Sequence, residues 1–226
     1  MTSLPAFFAL YQDTVNRALE RFVPAADPRD SSSRAIPLPV IEAMRYTLLA
    51  PSKRVRAVLV MLSADLCGTD SRALPAACAI EAVHASSLML DDLPSMDDAP
   101  LRRGRPASHR AFGEAIAILA AFGLLNEAFG HLARQYDPPL AARLVALLGD
   151  AVGLDGLVAG QAEDVLATEA TISFETLERI HRRKTGVLFS ASATAGALTA
   201  GASDTDIAVL TAYAKNLGLA FQVIDD

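Results

Sequence analysis

With 226 residues, 52% of them hydrophobic, the chain is long enough for one large core and needs no second domain. Its formal net charge of −6 excludes a general nucleic-acid-binding surface, because there is no excess of Lys and Arg to displace phosphate counterions. The two cysteines, Cys67 and Cys78, lie among apolar helix formers, which argues against a disulfide scaffold and for a reducing, cytoplasmic setting.

Alanine and leucine dominate, and apolar residues recur at three- and four-residue spacing, so an all-α bundle with little or no sheet is expected. The first stretch lacks the basic and apolar regions of a secretory leader and reads instead as a surface helix. Its residues Leu4, Phe7, Phe8, Tyr11, Val15, Leu19 and Phe22 share one face, and Pro24 ends it. Residues 25–39, rich in Pro, Asp and Ser, predict a loop, followed by a short helix over 40–50. Pro51-Ser52-Lys53-Arg54-Val55-Arg56 then leads into a core helix over 57–67. Lys53 and Arg56 share a face at its first turn, where cations oppose the helix dipole. From these residues alone, an anion site and a solvated basic turn both remain open.

The next helix takes Pro75 in its first turn and runs to Asp92. On it His84, Ser87, Leu88 and Asp91 follow the i, i+3, i+4, i+7 pattern and form one stripe. Taken alone, His84 reads as a core histidine. The helix ends in Asp91-Asp92-Leu93-Pro94-Ser95-Met96-Asp97-Asp98, followed closely by Arg102-Arg103-Gly104-Arg105. Carboxylates at the negative end of a helix dipole are disfavoured, so this loop calls for a partner cation.

Helical residues 107–135 follow, with a break near Gly113, and then Pro138–Val152. Gln161 and Asp164 lie one turn apart on another helix, which reads as an ordinary exposed face. After a loop over 167–173, a helix carrying Arg179, His181, Arg182, Arg183 and Lys184 should end near Gly186, its cations compensating the dipole. The uncharged run 185–203 reaches membrane-spanning length, but Ala, Gly, Ser and Thr fill most of it; a buried bundle helix is expected and no membrane span. Ser203-Asp204-Thr205-Asp206 has the pattern of a capping box, and the helix it opens runs to Phe221-Gln222-Val223-Ile224-Asp225-Asp226. A second apolar helix thus ends in paired aspartates.

Hard oxygen donors without cysteine favour Mg²⁺, or Mn²⁺, over zinc, and a few carboxylates with retained waters suit Mg²⁺ bridging to phosphate. Asp91, Asp97 and Asp225 facing one another would hold such ions against a diphosphate, with Lys53, Arg56, Arg102, Arg103 and Lys184 neutralising the remaining charge. The chain has no Gly-x-Ser-x-Gly elbow and no Walker-type glycine loop. Structural aspartates in a solvated loop are the alternative.

The segments EAVHASSLMLDDLPSMDDAPLRRGRPASH (Glu81 to His109), FGEAIAIL, Lys184-Thr185-Gly186 and LGLAFQVIDD occur in an order that resembles the trans-isoprenyl diphosphate synthases, specifically bacterial geranylgeranyl and farnesyl diphosphate synthases. The resemblance implies an all-helical fold with a central cavity and Mg²⁺-dependent condensation of isopentenyl diphosphate with an allylic diphosphate. By motif, Asp91, Asp97 and Asp225 are the implied metal ligands, and the implied catalytic group is Asp91, Asp92, Asp97, Arg102, Lys184 and Asp225. Lys53, Arg56, His84 and Arg103 match positions holding isopentenyl diphosphate; Arg102, Lys184, Thr185 and Gln222 match those serving the allylic diphosphate. Ser86 and Ser87, before Asp91, match the chain-length floor, and two small residues there imply a C20 product. The resemblance also implies a homodimer.

Departures are visible. Pro51-Ser52 and Ala57 stand where the family usually has Gly-Gly and Pro, Ala99-Pro100 replaces residues commonly acidic, and Ala121-Phe122 stands where Gly-Asp is common. Asp226 falls inside the second aspartate motif. Residues 1–226 are therefore expected to form one isoprenyl diphosphate synthase domain lacking its part beyond that motif's start. Two expectations follow, an active synthase or a non-catalytic homologue serving as a partner subunit. A terpene cyclase is disfavoured by the cations on the isopentenyl side.

Overall fold

A computed structural model describes the backbone of residues 4–25, 37–68, 72–167 and 172–225. The helices are α1 (Leu4–Phe22), α2 (Leu38–Leu48), α3 (Val55–Cys67), α4 (Ala73–Asp91), α5 (Ser108–Phe112), α6 (Glu114–Gln135), α7 (Pro138–Val152), α8 (Leu157–Ala167), α9 (Phe174–His181), α10 (Val187–Thr199) and α11 (Asp204–Asp225). A π-helical turn, Arg182–Gly186, joins α9 to α10, and a minimal antiparallel hairpin pairs β1 (Leu101–Arg102) with β2 (Arg105–Pro106). The protein is all-α, as its periodicity predicts. Most of the predicted loops 25–39 and 167–173 lie outside the described residues, as does the side chain of Asp225.

The chain resolves into two compact units, Met1–Arg54 with Glu81–Gly130, and Val55–Ile80 with His131–Asp226. Two of the three boundaries fall inside α4 and α6, and the third falls at the start of α3.

In the first unit the organising residue is Arg54. Its guanidinium donates to Asn16 Oδ1 at 2.9 Å, Leu48 O at 2.8 Å, Ala50 O at 3.1 Å and Glu81 Oε2 at 3.2 Å. One buried cation thereby ties α1, the end of α2 and the middle of α4 together. Both partners of the Arg54–Glu81 pair are 3% exposed, so each charge depends on the other to offset the loss of water. The α1 face expected to be buried is so towards its C-terminal end, at Val15, Leu19 and Phe22, whereas Phe7 is exposed.

In the second unit α3 lies against α10. Ten of the thirteen α10 residues are buried, and most are Ala, Ser, Thr or Gly, which lets the backbones approach closely. A Cβ on Gly196 would stand 2.1 Å from the carbonyl oxygen of Val60. Phe189, Leu59, Ala193 and Ala214 form a core cluster that also receives α11. At the start of α11 the capping box is as the sequence predicts, with the Asp206 amide donating to Ser203 Oγ at 3.2 Å and Ser203 Oγ to Asp206 Oδ2 at 2.6 Å.

One boundary corrects the sequence reading. The helix carrying Arg179 to Lys184 does not stop near Gly186. The backbone stays right-handed through the π turn and continues as α10, so the cations sit within a continuous helical path and are not compensating a terminus.

Candidate functional site

Within the first unit, α4 delivers Asp91 and Asp92 to the head of the aspartate loop. Asp92 is 2% exposed, and both the Nε and a terminal nitrogen of Arg102 donate to its Oδ1; Nε lies at 2.8 Å. The same guanidinium is 3.9 Å from Asp91 Oδ2. Burial works against the Arg102 charge, but the hydrogen bond to Asp92 and the carboxylates of Asp92, Asp91 and Asp97 outweigh it, and the pKa of Arg102 rises. Asp92, taken from sequence for a member of the catalytic group, is thus the buried anchor of that arginine.

The loop closes on itself. The Asp97 amide donates to Asp91 O and the Asp98 amide to Leu93 O, both at 3.0 Å, and Asp98 takes a φ of +44°. Asp97 itself is exposed and Asp91 only partly so. The hairpin that follows turns on Arg103 (φ +53°) and Gly104 (φ +74°). Two positive φ values are what a two-residue turn between twisted strands needs, and only the second falls on glycine. The ribbon is clamped to α2 by Tyr46, whose hydroxyl donates to Pro106 O at 2.9 Å while the Arg105 guanidinium stacks 3.8 Å from its ring centre. This fixes where Arg102 and Arg103 can point. The Arg103 pKa is lowered, chiefly by burial and then by the Arg54 charge, so a bound anion near it would gain from relieving that repulsion.

On α4, His84, Ser87, Leu88 and Asp91 are all half-buried, which places the predicted stripe along one face. Ser87 Oγ donates to His84 O at 2.9 Å. Ser86 is buried and donates to Ala121 O at 2.8 Å, so its hydroxyl is engaged with α6. Lys53 is exposed.

In the second unit, the π turn carries Lys184 and Thr185. Lys184 Nζ donates to Asp164 Oδ2 at 2.6 Å, and Thr185 Oγ1 to Gln222 Oε1 at 2.8 Å. Glu163 receives Arg179 at 3.2 Å and Arg183 at 2.7 Å. The α8 face read from sequence as ordinary surface therefore holds the cations of the π turn. Two glycines permit the geometry: a Cβ on Gly160 would lie 2.5 Å from the Lys184 nitrogen, and one on Gly218 would lie 2.9 Å from the Gly186 Cα. A π turn of this kind occurs frequently at functional sites. Arg56, at the start of α3, stacks 4.8 Å above the Phe189 ring.

Among the described residues, no three His, Cys, Asp or Glu side chains group closely enough to hold a metal by themselves. The donor set nevertheless fits Mg²⁺. Asp91 and Asp97 are hard oxygen donors drawn together by a backbone hydrogen bond, and Mg²⁺ is bound through one or two carboxylates with waters and substrate phosphates completing its shell.

The sequence profile of the polyprenyl synthetase family matches residues 39–226. The chain belongs to this family. The chain is 44% identical over 223 residues to the heterodimeric geranylgeranyl pyrophosphate synthase large subunit 1, chloroplastic, of Arabidopsis thaliana, covering 95% of this chain and 58% of the relative. It is 43% identical to the chloroplastic geranylgeranyl pyrophosphate synthase of Catharanthus roseus, covering 95% and 59% of the two chains. The chain thus spans about three fifths of the length of these curated relatives. The apo crystal structure of an FPP/GFPP synthase from Zymomonas mobilis superposes with a TM-score of 0.89 at 36% identity, covering 99% of this chain and 80% of that chain.

Sequence reasoning missed Arg54 and Tyr46. A signal for Arg54 was present in Glu81, an acid in an otherwise apolar helix that must find a cation.

Proposed function

We propose that this polyprenyl synthetase condenses isopentenyl diphosphate with an allylic diphosphate and releases a C20 product, geranylgeranyl diphosphate. The observation that carries the reading is the aspartate loop with its paired arginine ribbon. Asp92 fixes Arg102, which stays cationic beside Asp91, and the loop draws Asp97 back to Asp91 through the hydrogen bond from its amide to the Asp91 carbonyl. The names of the plant relatives add support.

In this reading Asp91 and Asp97, with Asp225, hold Mg²⁺. When bound, that ion supplies charge stabilisation for the departing diphosphate. Arg102, Lys184, Thr185 and Gln222 bind and orient the allylic diphosphate and share the negative charge that develops as its carbon–oxygen bond breaks. Lys53, Arg56, His84 and Arg103 hold isopentenyl diphosphate so that its double bond meets the allylic cation, after which a proton is lost. Apolar surroundings keep water from that cation.

The test is an assay of the purified chain with Mg²⁺, isopentenyl diphosphate and dimethylallyl, geranyl or farnesyl diphosphate. C20 diphosphate is expected. Folded protein that forms no condensation product with any primer would overturn the reading and favour a partner-subunit role; a relative named as a heterodimer's large subunit is the observation that keeps this second reading open. Ser86→Tyr with Ser87→Phe should shorten the product to C15, read by chromatography after dephosphorylation, because two bulky residues fill the space ahead of Asp91.

A further inference from the structure

The third residue after the hairpin's second strand is buried in a way that folding alone does not call for. His109, on α5, has a side chain 2% exposed, and neither ring nitrogen has a hydrogen-bond partner among the described residues. Buried polar atoms are nearly always paired, and exceptions are concentrated where function maintains them. The carboxylate facing it is Asp98, whose Oδ1 lies 4.0 Å from His109 Nε2. That oxygen is already held by Arg110, the next residue on α5, at 2.7 Å.

Asp98 is the residue at which the aspartate loop turns left-handed, directly after Asp97, with its amide anchored on Leu93 O. A β-carboxylate held at this point fixes the turn, and the turn sets where Asp97 stands relative to Asp91. Arg110 alone is a weak holder, since its side chain is 50% exposed and that of Asp98 56%. The buried ring is the part of this arrangement that cannot drift into solvent. A closure of about 1 Å turns the His109–Asp98 approach into a hydrogen bond.

We propose that His109 is a positioning residue that backs Asp98 from the protein interior and so holds the aspartate loop in its metal-binding shape. The inference rests on the prenyltransferase reading for its metal but concerns residues to which that reading assigns no role. His109 touches no reacting atom. It acts through Asp98, as the outer partners of metal-ligating residues do.

The test compares the parent with His109→Leu, His109→Gln, Asp98→Ala and the His109→Leu/Asp98→Ala pair. Mn²⁺ binding in the presence of inorganic diphosphate is followed by electron paramagnetic resonance, and the Mg²⁺ concentration for half-maximal turnover is measured alongside. His109→Leu and Asp98→Ala should each weaken Mn²⁺ binding by about 10-fold, the loss typical of removing such a partner. His109→Gln, which keeps a donor, should recover most of it. The double variant should be no weaker than either single one, because both remove the same link. Unchanged Mn²⁺ binding in Asp98→Ala, or losses that multiply in the double variant, would overturn the proposal. Asp98 is exposed, so that arm does not depend on tolerance of a core substitution. A parent that binds Mn²⁺ and turns over, with variants equal to it, sinks this inference alone; a parent that binds no Mn²⁺ sinks the underlying reading with it.

Discussion

Arg103 adopts a backbone conformation that glycine would take freely, and the protein accepts that strain to place a guanidinium at the tip of the hairpin. Charge and strain can be separated by Arg103→Gly. Relief of the left-handed strain and the greater freedom of the unfolded glycine chain oppose each other, so stability should stay within about 1 kcal/mol of the parent. On the proposed role of Arg103 in holding isopentenyl diphosphate, the KM for that substrate should rise by about 10-fold or more, since a charge-assisted hydrogen bond to phosphate would be lost; steady-state kinetics beside a urea melt reads both. Glu81→Ala should behave in the opposite way. It leaves Arg54 buried without its counter-charge and should cost about 3–5 kcal/mol in urea unfolding at unchanged slope. These two arginines show what was legible. Lys53, Arg54 and Arg56 are near neighbours of the same charge, and sequence marked the outer pair as candidates for an anion. The structure buries the middle one as a staple, a distinction made by the positive φ of Arg54 and by Glu81, residues apart in sequence, which charge spacing does not encode.

At the scale of elements, legibility tracks local chemistry. Both ends of α7 follow from the sequence because Pro138 starts it and Gly153 closes it, and the break between α5 and α6 sits on Gly113, which has a φ of +84°. The ribbon of β1 and β2 escaped because strands of two residues carry no alternation to read. The π turn escaped for a different reason: a one-residue slip in hydrogen bonding leaves composition unchanged, and its trace is the pair of glycines, Gly160 and Gly218, packed on it from α8 and α11. Close helix contacts of this sort set sharp limits. In α10, Gly196→Ala would drive a methyl into the Val60 carbonyl, and a backbone atom cannot rotate aside. The expected cost is about 1–3 kcal/mol or more, measured as a lower midpoint in thermal or urea unfolding. A matched Ala193→Gly variant, which opens space in the same helix, separates clash from helix propensity by its smaller loss.

For the whole molecule, the apolar helices pose a question that composition alone leaves open. Both α4 and α6 are long and apolar enough to cross a bilayer, and α4 resolves the question for itself, since 67% of its apolar window is buried within the protein. In α6 that share is 33%, and Ile118, Leu119 and Phe122 are 45%, 55% and 69% exposed. Buried residues at helical spacing, Ala117, Ala120, Ala121 and Leu124, show that α6 already has one face in the core, so Ile118, Leu119 and Phe122 make a second, exposed apolar face. Such a face calls for cover. A homodimer, which the family resemblance implies, would supply it with a second copy of the same surface, the self-complementary arrangement a two-fold axis requires. Phe122→Asp should then convert a dimer into a monomer in light scattering coupled to gel filtration, with the helical circular dichroism retained. A parent that is monomeric at every concentration would defeat the prediction. Binding of the parent, but not of Phe122→Asp, to neutral phospholipid vesicles would defeat it equally, because the face would then be covered by lipid.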